Sequence, residues 1–285
     1  MSMVQICSLF GISRQAHYQR QCRERVQSLE NEIILEMVRQ VRRRHPRMGC
    51  RKVLYKIRPM LAQERLKMGR DRLFRLLREA NLLVKPRKGY RRTTYPGLSW
   101  APNRLPGLVV TQCNQVWVCD ITYLALMKSQ FAYLFLLMDL YSRYIIGWHV
   151  SPSLGTNGAL VSLDMALSQR LNSQKAVIHH SDHGVQYTNR IYQKRLLENN
   201  LLASMGAVGN CYDNIYAERV IGSLKNEYGL DLPFVNISHL SPVVKEVINL
   251  YNADRPHQSL GMATPKDVYE GKTHNVVGIK FPLAV

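Results

Sequence analysis

Residues 116–227 switch repeatedly between a hydrophobic period of two and one of 3.6, and this alternation constrains the fold more than any other feature of the chain. Residues 116–123, 131–138 and 144–150 read as strands, separated by the turn formers Lys128-Ser129-Gln130 and by the stretch 139–143. Strands this close in sequence pair antiparallel. Residues 157–171 then place Leu160, Leu163, Ala166, Leu167 and Leu171 on one helical face, and 176–179 is a short apolar strand. A helix over 190–199, a strand over 201–204 and a helix over 214–227 complete the order. Five strands with interleaved helices predict a mixed α/β sheet flanked by helices.

Three strands, helix, strand, helix, strand, helix is the order of the RNase H-like fold, and three carboxylates occupy informative places in it. Asp120 lies within the first strand, Asp182 follows the fourth and Glu218 lies in the last helix, with 35 residues between the last two. Strand parity groups Asp120 with Val116, Val118 and Thr122, and sets Trp117, Cys119 and Ile121 on the opposite face. Helical spacing collects Asn214, Glu218, Gly222 and Lys225 in one stripe, beside an apolar stripe of Ala217, Val220, Ile221, Leu224 and Tyr228. Converging carboxylates repel one another unless cations offset the charge, and hard divalent ions such as Mg2+ take oxygen ligands. Two such ions activate the attacking and the leaving oxygen of a phosphodiester. Lys225, two turns beyond Glu218, is placed to hold a DNA phosphate, and Gly222 leaves room for a backbone to approach. On spacing alone the three carboxylates also fit a strand edge, a helix-capping turn and a surface ion pair. Asp139 and Asp213 compete for the role, but Asp139 reads as serving the turn before Arg143 and Asp213 as a helix cap.

The first 110 residues are of another kind. They hold 25 Lys plus Arg against 7 Asp plus Glu, net +18, whereas residues 111–285 hold 14 against 13 and contribute only +1 of the total +19. A cationic module beside a neutral one implies that the first part holds a polyanion. Four regions are expected: a basic all-α DNA-binding region with helix-turn-helix elements over 1–94, a Pro-rich linker over 95–110, the catalytic α/β domain over 111–272 and a tail over 273–285. Within residues 4–20 a short apolar helix, a turn at Gly11 and a cap at Ser13 have helix-turn-helix spacing. Leu29, Ile33, Ile34, Met37, Val38 and Val41 make a further helical stripe that runs into Arg42-Arg43-Arg44 and stops at His45-Pro46.

A second helical pair follows over 50–61 and 69–80, the latter with Leu73, Phe74, Leu76 and Leu77 as its buried stripe. Arg70, Arg72, Arg75 and Arg78 are assigned to its DNA-facing side, and Lys85, Arg87, Lys88, Arg91 and Arg92, interleaved with Tyr90 and Tyr95, to a basic arm. Such binding weakens by about 0.9 log units per phosphate contact per log unit of salt. The longest apolar run, 131–138, falls far short of the roughly 20 residues a membrane span needs, and the first ten residues lack a signal-peptide pattern. A soluble, unexported protein without membrane contact is expected. Six cysteines with no CxxC pair suit reduced thiols in a cytosol.

The strings QVWVCDITY (115–123), HSDHGVQYT (180–188), GNCYDN (209–214), AERVIGSLKNE (217–227) and YNADRPHQSLG (251–261) resemble the OrfB product of IS-three family insertion sequences. Those proteins are DDE transposases with a retroviral-integrase-like core. HPRMGCRKV (45–53) and GRDRLFRLLREANLL (69–83) are similar to their helix-turn-helix region. The resemblance implies that Asp120, Asp182 and Glu218 bind two Mg2+ or Mn2+, and that Lys225 is the basic residue found seven positions past the glutamate. It implies DNA cleavage and strand transfer on terminal inverted repeats and target DNA, with a circular intermediate. It further implies a bacterial, cytoplasmic, nucleoid-associated protein, a homo-oligomer that synapses two ends, and an OrfA partner or fusion. The chain itself shows no heptad seam of three or more repeats. It departs from the family at His183, where Arg is common, and over 206–208, where basic residues are usual. His180 and His183 are expected to contact DNA or to orient Asp182. Two rivals are a repressor that only occupies element ends, against which the intact triad argues, and a nuclease that hydrolyses without joining.

Overall fold

A computed structural model of the chain describes residues 3–85, 101–170, 175–206, 214–273 and 276–283. The chain divides after Lys85 into two units. In the first, α1 (Met3–Leu9) ends in a turn where Gly11 takes φ +62°, and Ser13 caps α2 (Arg14–Arg44) by accepting from Ala16 N at 3.0 Å. The two helical stretches expected between residues 13 and 44 are one 31-residue helix, because no Gly or Pro interrupts them. It stops at His45, before Pro46, as the sequence requires.

Next come α3 (Cys50–Gln63) and α4 (Arg70–Glu79). Ile34, Met37, Val38 and Val41 of α2 pack with Val53, Leu54, Ile57 and Leu61 of α3 and Leu73, Leu76 and Leu77 of α4. Three expected core residues lie outside this core: Leu29 is 62%, Ile33 44% and Phe74 40% exposed. Leu73, Leu76 and Leu77 already fill the i, i+3, i+4 face of a short helix, and Phe74 is turned about 100° from it. The core begins at Ile34, so the apolar residues earlier in α2 have nothing in this core to pack against.

The second unit contains β1 (Val109–Val110), β2 (Val116–Ala125), β3 (Phe131–Asp139), β4 (Ile145–Ser151), α5 (Thr156–Ser168), β5 (Val177–Ser181), α6 (Val185–Thr188), α7 (Arg190–Glu198), β6 (Leu201–Met205), α8 (Ile215–Tyr228), α9 (Ile237–Ala253), α10 (Pro265–Tyr269) and β7 (Ile279–Lys280). Five strands form a mixed sheet in the order β4-β3-β2-β5-β6, antiparallel across β4, β3 and β2 and parallel across β2, β5 and β6. This is the predicted RNase H-like arrangement. Lys128 and Ser129, both at positive φ, make the tight turn between β2 and β3.

Helices cover both faces. One core joins Val116, Val118 and Leu124 of β2 to Ala217, Val220, Ile221 and Leu224 of α8 and to Leu240, Val244, Val247, Ile248 and Tyr251 of α9. The other joins Trp117 and Cys119 to Ala159, Leu163 and Ala166 of α5 and to Tyr192 and Leu196 of α7. Strand parity therefore predicted the two faces correctly. At Gly147 a Cβ would lie 2.1 Å from the Ser162 carbonyl oxygen, so only glycine lets α5 seat on β4.

Two features were not anticipated. Ser241-Pro242 reads as a breaker, yet Pro242 lies within the 17-residue α9. β1 pairs with β7, Val109 opposite Lys280, so the segment ahead of the five-stranded sheet and the stretch around 279–280 form one ribbon.

Candidate functional site

The sheet register determines where the two aspartates lie. β2 and β5 run parallel with Val118 beside His180 as the last paired row. Asp120 and Asp182 each lie two residues beyond it, and so share a side of the sheet on strands about 5 Å apart. That side is the one α8 covers. Asp120 Oδ1 accepts from Ile121 N at 2.8 Å, and Asp182 Oδ1 accepts from Gly184 N at 3.0 Å, which folds the chain sharply after β5.

Glu218 lies in the first turn of α8 with its side chain exposed, while Ala217, Val220, Ile221 and Leu224 hold the opposite side of the helix against the sheet. Lys225 is two turns further along the same stripe and half-buried. Apart from α8's own backbone and the adjoining residues, the nearest described atom to a Cβ built on Gly222 is Asn226 Nδ2 at 3.9 Å, so among the described residues the stripe between Glu218 and Lys225 is open.

Electrostatics show which groups face one another. Burial raises the Asp120 carboxyl well above the usual carboxylate range, Asp182 raises it further and Glu218 adds a smaller push, against which Lys225 pulls. Burial lowers the Lys225 ammonium to about 8, with the Asp120 charge opposing the shift. Asp120 is half-buried and Glu218 exposed, so Glu218 is the outer member of the set. Among the described residues, no three His, Cys, Asp or Glu side chains converge into a ready-made metal cage. The donor set nonetheless fits hard divalent cations: it is all oxygen, and its mutual repulsion is what such cations relieve.

The histidines sit behind this site rather than in front of it. His183 is buried, and its Nε2 lies 2.7 Å from the Gly206 carbonyl oxygen, which can only accept, so Nε2 carries the proton. The ring ties the end of β5 to the end of β6, and a surface contact of this side chain with DNA is not available in this arrangement. His180 is fully buried, with Nδ1 2.9 Å from Ser204 Oγ, and burial lowers it to about 3, so it stays neutral. Tyr187, also buried, was not anticipated. Burial first, then the Cys119 thiol and Asp182, push its hydroxyl up, and its ring lies against those of His179 and Tyr192. Its only sequence signal is its place five residues after Asp182.

The other expected contacts divide. Arg72 is engaged within its own unit, with Glu30 Oε2 at 3.2 Å, Asn31 Oδ1 at 3.3 Å and the Lys67 carbonyl at 3.2 Å. Its guanidinium links α4 to α2. Arg70 is exposed and paired with Asp71 at 2.8 Å, Arg75 is exposed, and Arg78 is exposed over the Phe74 ring at 5.0 Å. Lys85 is exposed. Arg87, Lys88, Arg91, Arg92, Tyr90, Tyr95 and Asp213 lie outside the described residues.

Asp139 is held as a turn carboxylate. It accepts from Asn114 N at 2.7 Å, Ser142 N at 2.8 Å and Ser142 Oγ at 2.6 Å. The last sequence motif has a structural use that no local pattern showed: Arg255 makes two 2.8 Å bonds to Glu227 and latches the end of α9 to the end of α8.

Residues 110–211 match an integrase core domain family, and residues 200–265 match a second integrase core domain family. A 31 kDa protein of insertion element IS600 from Shigella sonnei is 35% identical over 274 residues, 91% of this chain and 96% of that protein. A putative transposase of IS986/IS6110 from Mycobacterium tuberculosis is 31% identical, covering 77% of this chain and 80% of its own length. The IS629 transposase from Shigella sonnei is 35% identical over 56% of this chain and 53% of its own. Among solved structures, the HTLV-2 integrase catalytic core in complex with magnesium aligns at 17% identity and TM-score 0.43, over 59% of this chain and 99% of that one.

Proposed function

The chain belongs to the IS-three family of insertion-sequence transposases and is a DNA transposase with an integrase core; on that premise we propose that Asp120, Asp182 and Glu218 carry its strand chemistry. The observation that carries the assignment is the sheet register, which sets Asp120 and Asp182 two residues beyond the paired Val118–His180 row on the side that α8, bearing Glu218, covers. Divalent cations, two Mg2+ or Mn2+, would supply Lewis-acid activation of the attacking oxygen and stabilisation of the leaving one. Asp120 and Asp182 bind from the sheet, and Glu218 closes the set from α8. Lys225 holds a phosphate on the open stripe beside them. His183 and His180 fix the backbone that carries Asp182.

The first unit holds DNA through Arg70, Arg75, Arg78 and Lys85, continued by Arg87, Lys88, Arg91 and Arg92. The substrates are the terminal repeats of the element and a target duplex, and pairing two ends calls for more than one copy of the chain, with OrfA as a partner or fusion. No helix among the described residues is long and apolar enough to cross a membrane.

The test incubates the protein, with and without OrfA, with DNA bearing the element ends and Mg2+ or Mn2+. Wild type cleaves and joins, while Glu218→Ala binds the DNA and does neither. Equal joining by the two proteins overturns the assignment.

A further inference from the structure

Asn214 occupies the N-cap of α8, where an asparagine normally turns its side-chain oxygen back onto the first helical N–H groups and stabilises the helix. The chain does this twice elsewhere: Asn189 Oδ1 accepts from Ile191 N and Asn236 Oδ1 from His239 N, both at 2.9 Å. Asn214 makes no such bond. Its Nδ2 instead donates to the Cys119 carbonyl at 3.2 Å, on the residue immediately before Asp120. A backbone carbonyl only accepts, so the amide orientation is fixed, with nitrogen on the strand and oxygen turned elsewhere. That oxygen is buried and has no hydrogen-bond partner among the described residues. A buried acceptor left unmade is costly. The residue thus forgoes a cap and leaves an acceptor without a partner among the described residues, on a side chain bonded to the residue before Asp120 and one helical turn from Glu218.

We propose that Asn214 Oδ1 is a neutral oxygen contact for the divalent cation at Asp120, made to the ion or to its bound water. This rests on the carboxylate site proposed above. An amide oxygen is a normal ligand for hard cations. It suits this place because it adds a donor without adding charge to a set whose mutual repulsion already protonates Asp120 more readily. A fourth carboxylate there would deepen that repulsion.

The test uses the full-length protein and Mn2+ alone, titrated calorimetrically, with thermal unfolding in EDTA as the measure of the fold. Asn214→Ser restores a short capping side chain and withdraws the oxygen. It should unfold in EDTA at or above the wild-type temperature yet bind Mn2+ about 5–10-fold more weakly. Asn214→Ala, which cannot cap, should weaken Mn2+ binding to the same degree. Wild-type Mn2+ affinity in both variants, with binding abolished in Asp120→Asn, overturns the role of Asn214 and leaves the carboxylate site standing. Wild-type affinity in Asp120→Asn overturns the carboxylate site and this inference with it.

Discussion

Asp120 and Asp139 are both strand carboxylates, half-buried and fully buried respectively, and their surroundings separate them. Asp139 is met by two backbone N–H groups and a hydroxyl, whereas Asp120 has one N–H and two like charges. Asp139→Ala should therefore cost about 2–4 kcal/mol in urea denaturation, because three donors lose their acceptor. Asp120→Asn should act oppositely, raising the unfolding temperature in EDTA by a few degrees, since it removes the repulsion without emptying the space. A lowered temperature would count against a repulsive cluster. The sequence assigned Asp139 to its turn, because the Asp-to-Ser142 pattern is local. His179, buried against the Tyr192 hydroxyl at 2.9 Å, is lowered by burial to about 4. Between pH 6.5 and 4 the unfolded chain takes up a proton there that the folded one refuses, so stability falls with pH across that window, by up to roughly 3 kcal/mol. His179→Gln should flatten that slope in urea titrations at pH 7 and 5. An unchanged slope would show that other groups set it.

At the scale of elements, α2 and α9 mark how far periodicity reaches. The apolar repeat of α2 is real, but only its part from Ile34 onward meets α3 and α4. Ile34→Ala should cost about 2–5 kcal/mol, while Leu29→Gln should stay within about 0.5 kcal/mol of wild type in thermal melts. A large loss at Leu29 would mean that its exposed face is covered by something in solution. No expectation covered α9, in which Pro242 requires the helix to forgo only one backbone bond. α8 was legible almost residue by residue, since one stripe is apolar throughout and the other carries Glu218, Gly222 and Lys225.

For the whole molecule, the division of charge parallels the division of structure. Nearly all of the net +19 lies before residue 111, and the units separate after Lys85. A fragment beginning at residue 95, which omits both the first unit and the basic arm with Arg87, Lys88, Arg91 and Arg92, should keep Mn2+ binding and lose most of its DNA affinity, with a much shallower dependence on salt in fluorescence anisotropy titrations. An unchanged salt slope would place the phosphate contacts in the catalytic unit. Arg72 shows the limit of counting charge: it is one of the cations that read as a phosphate contact, yet Glu30, 42 residues away, takes it.

The succession of strands and helices and the two faces of the sheet were determined by the sequence alone, and the three carboxylates proposed for the site were chosen from it, because each is written in a period of two or 3.6 or in a short motif. The tertiary structure decided what each polar group faces. It withdrew His183 to Gly206 and Arg72 to Glu30, joined Arg255 to Glu227 and turned the Asn214 amide onto the Cys119 carbonyl, leaving its oxygen without a partner among the described residues. Burial and pairing depend on neighbours tens of residues distant along the chain, and no local pattern records them.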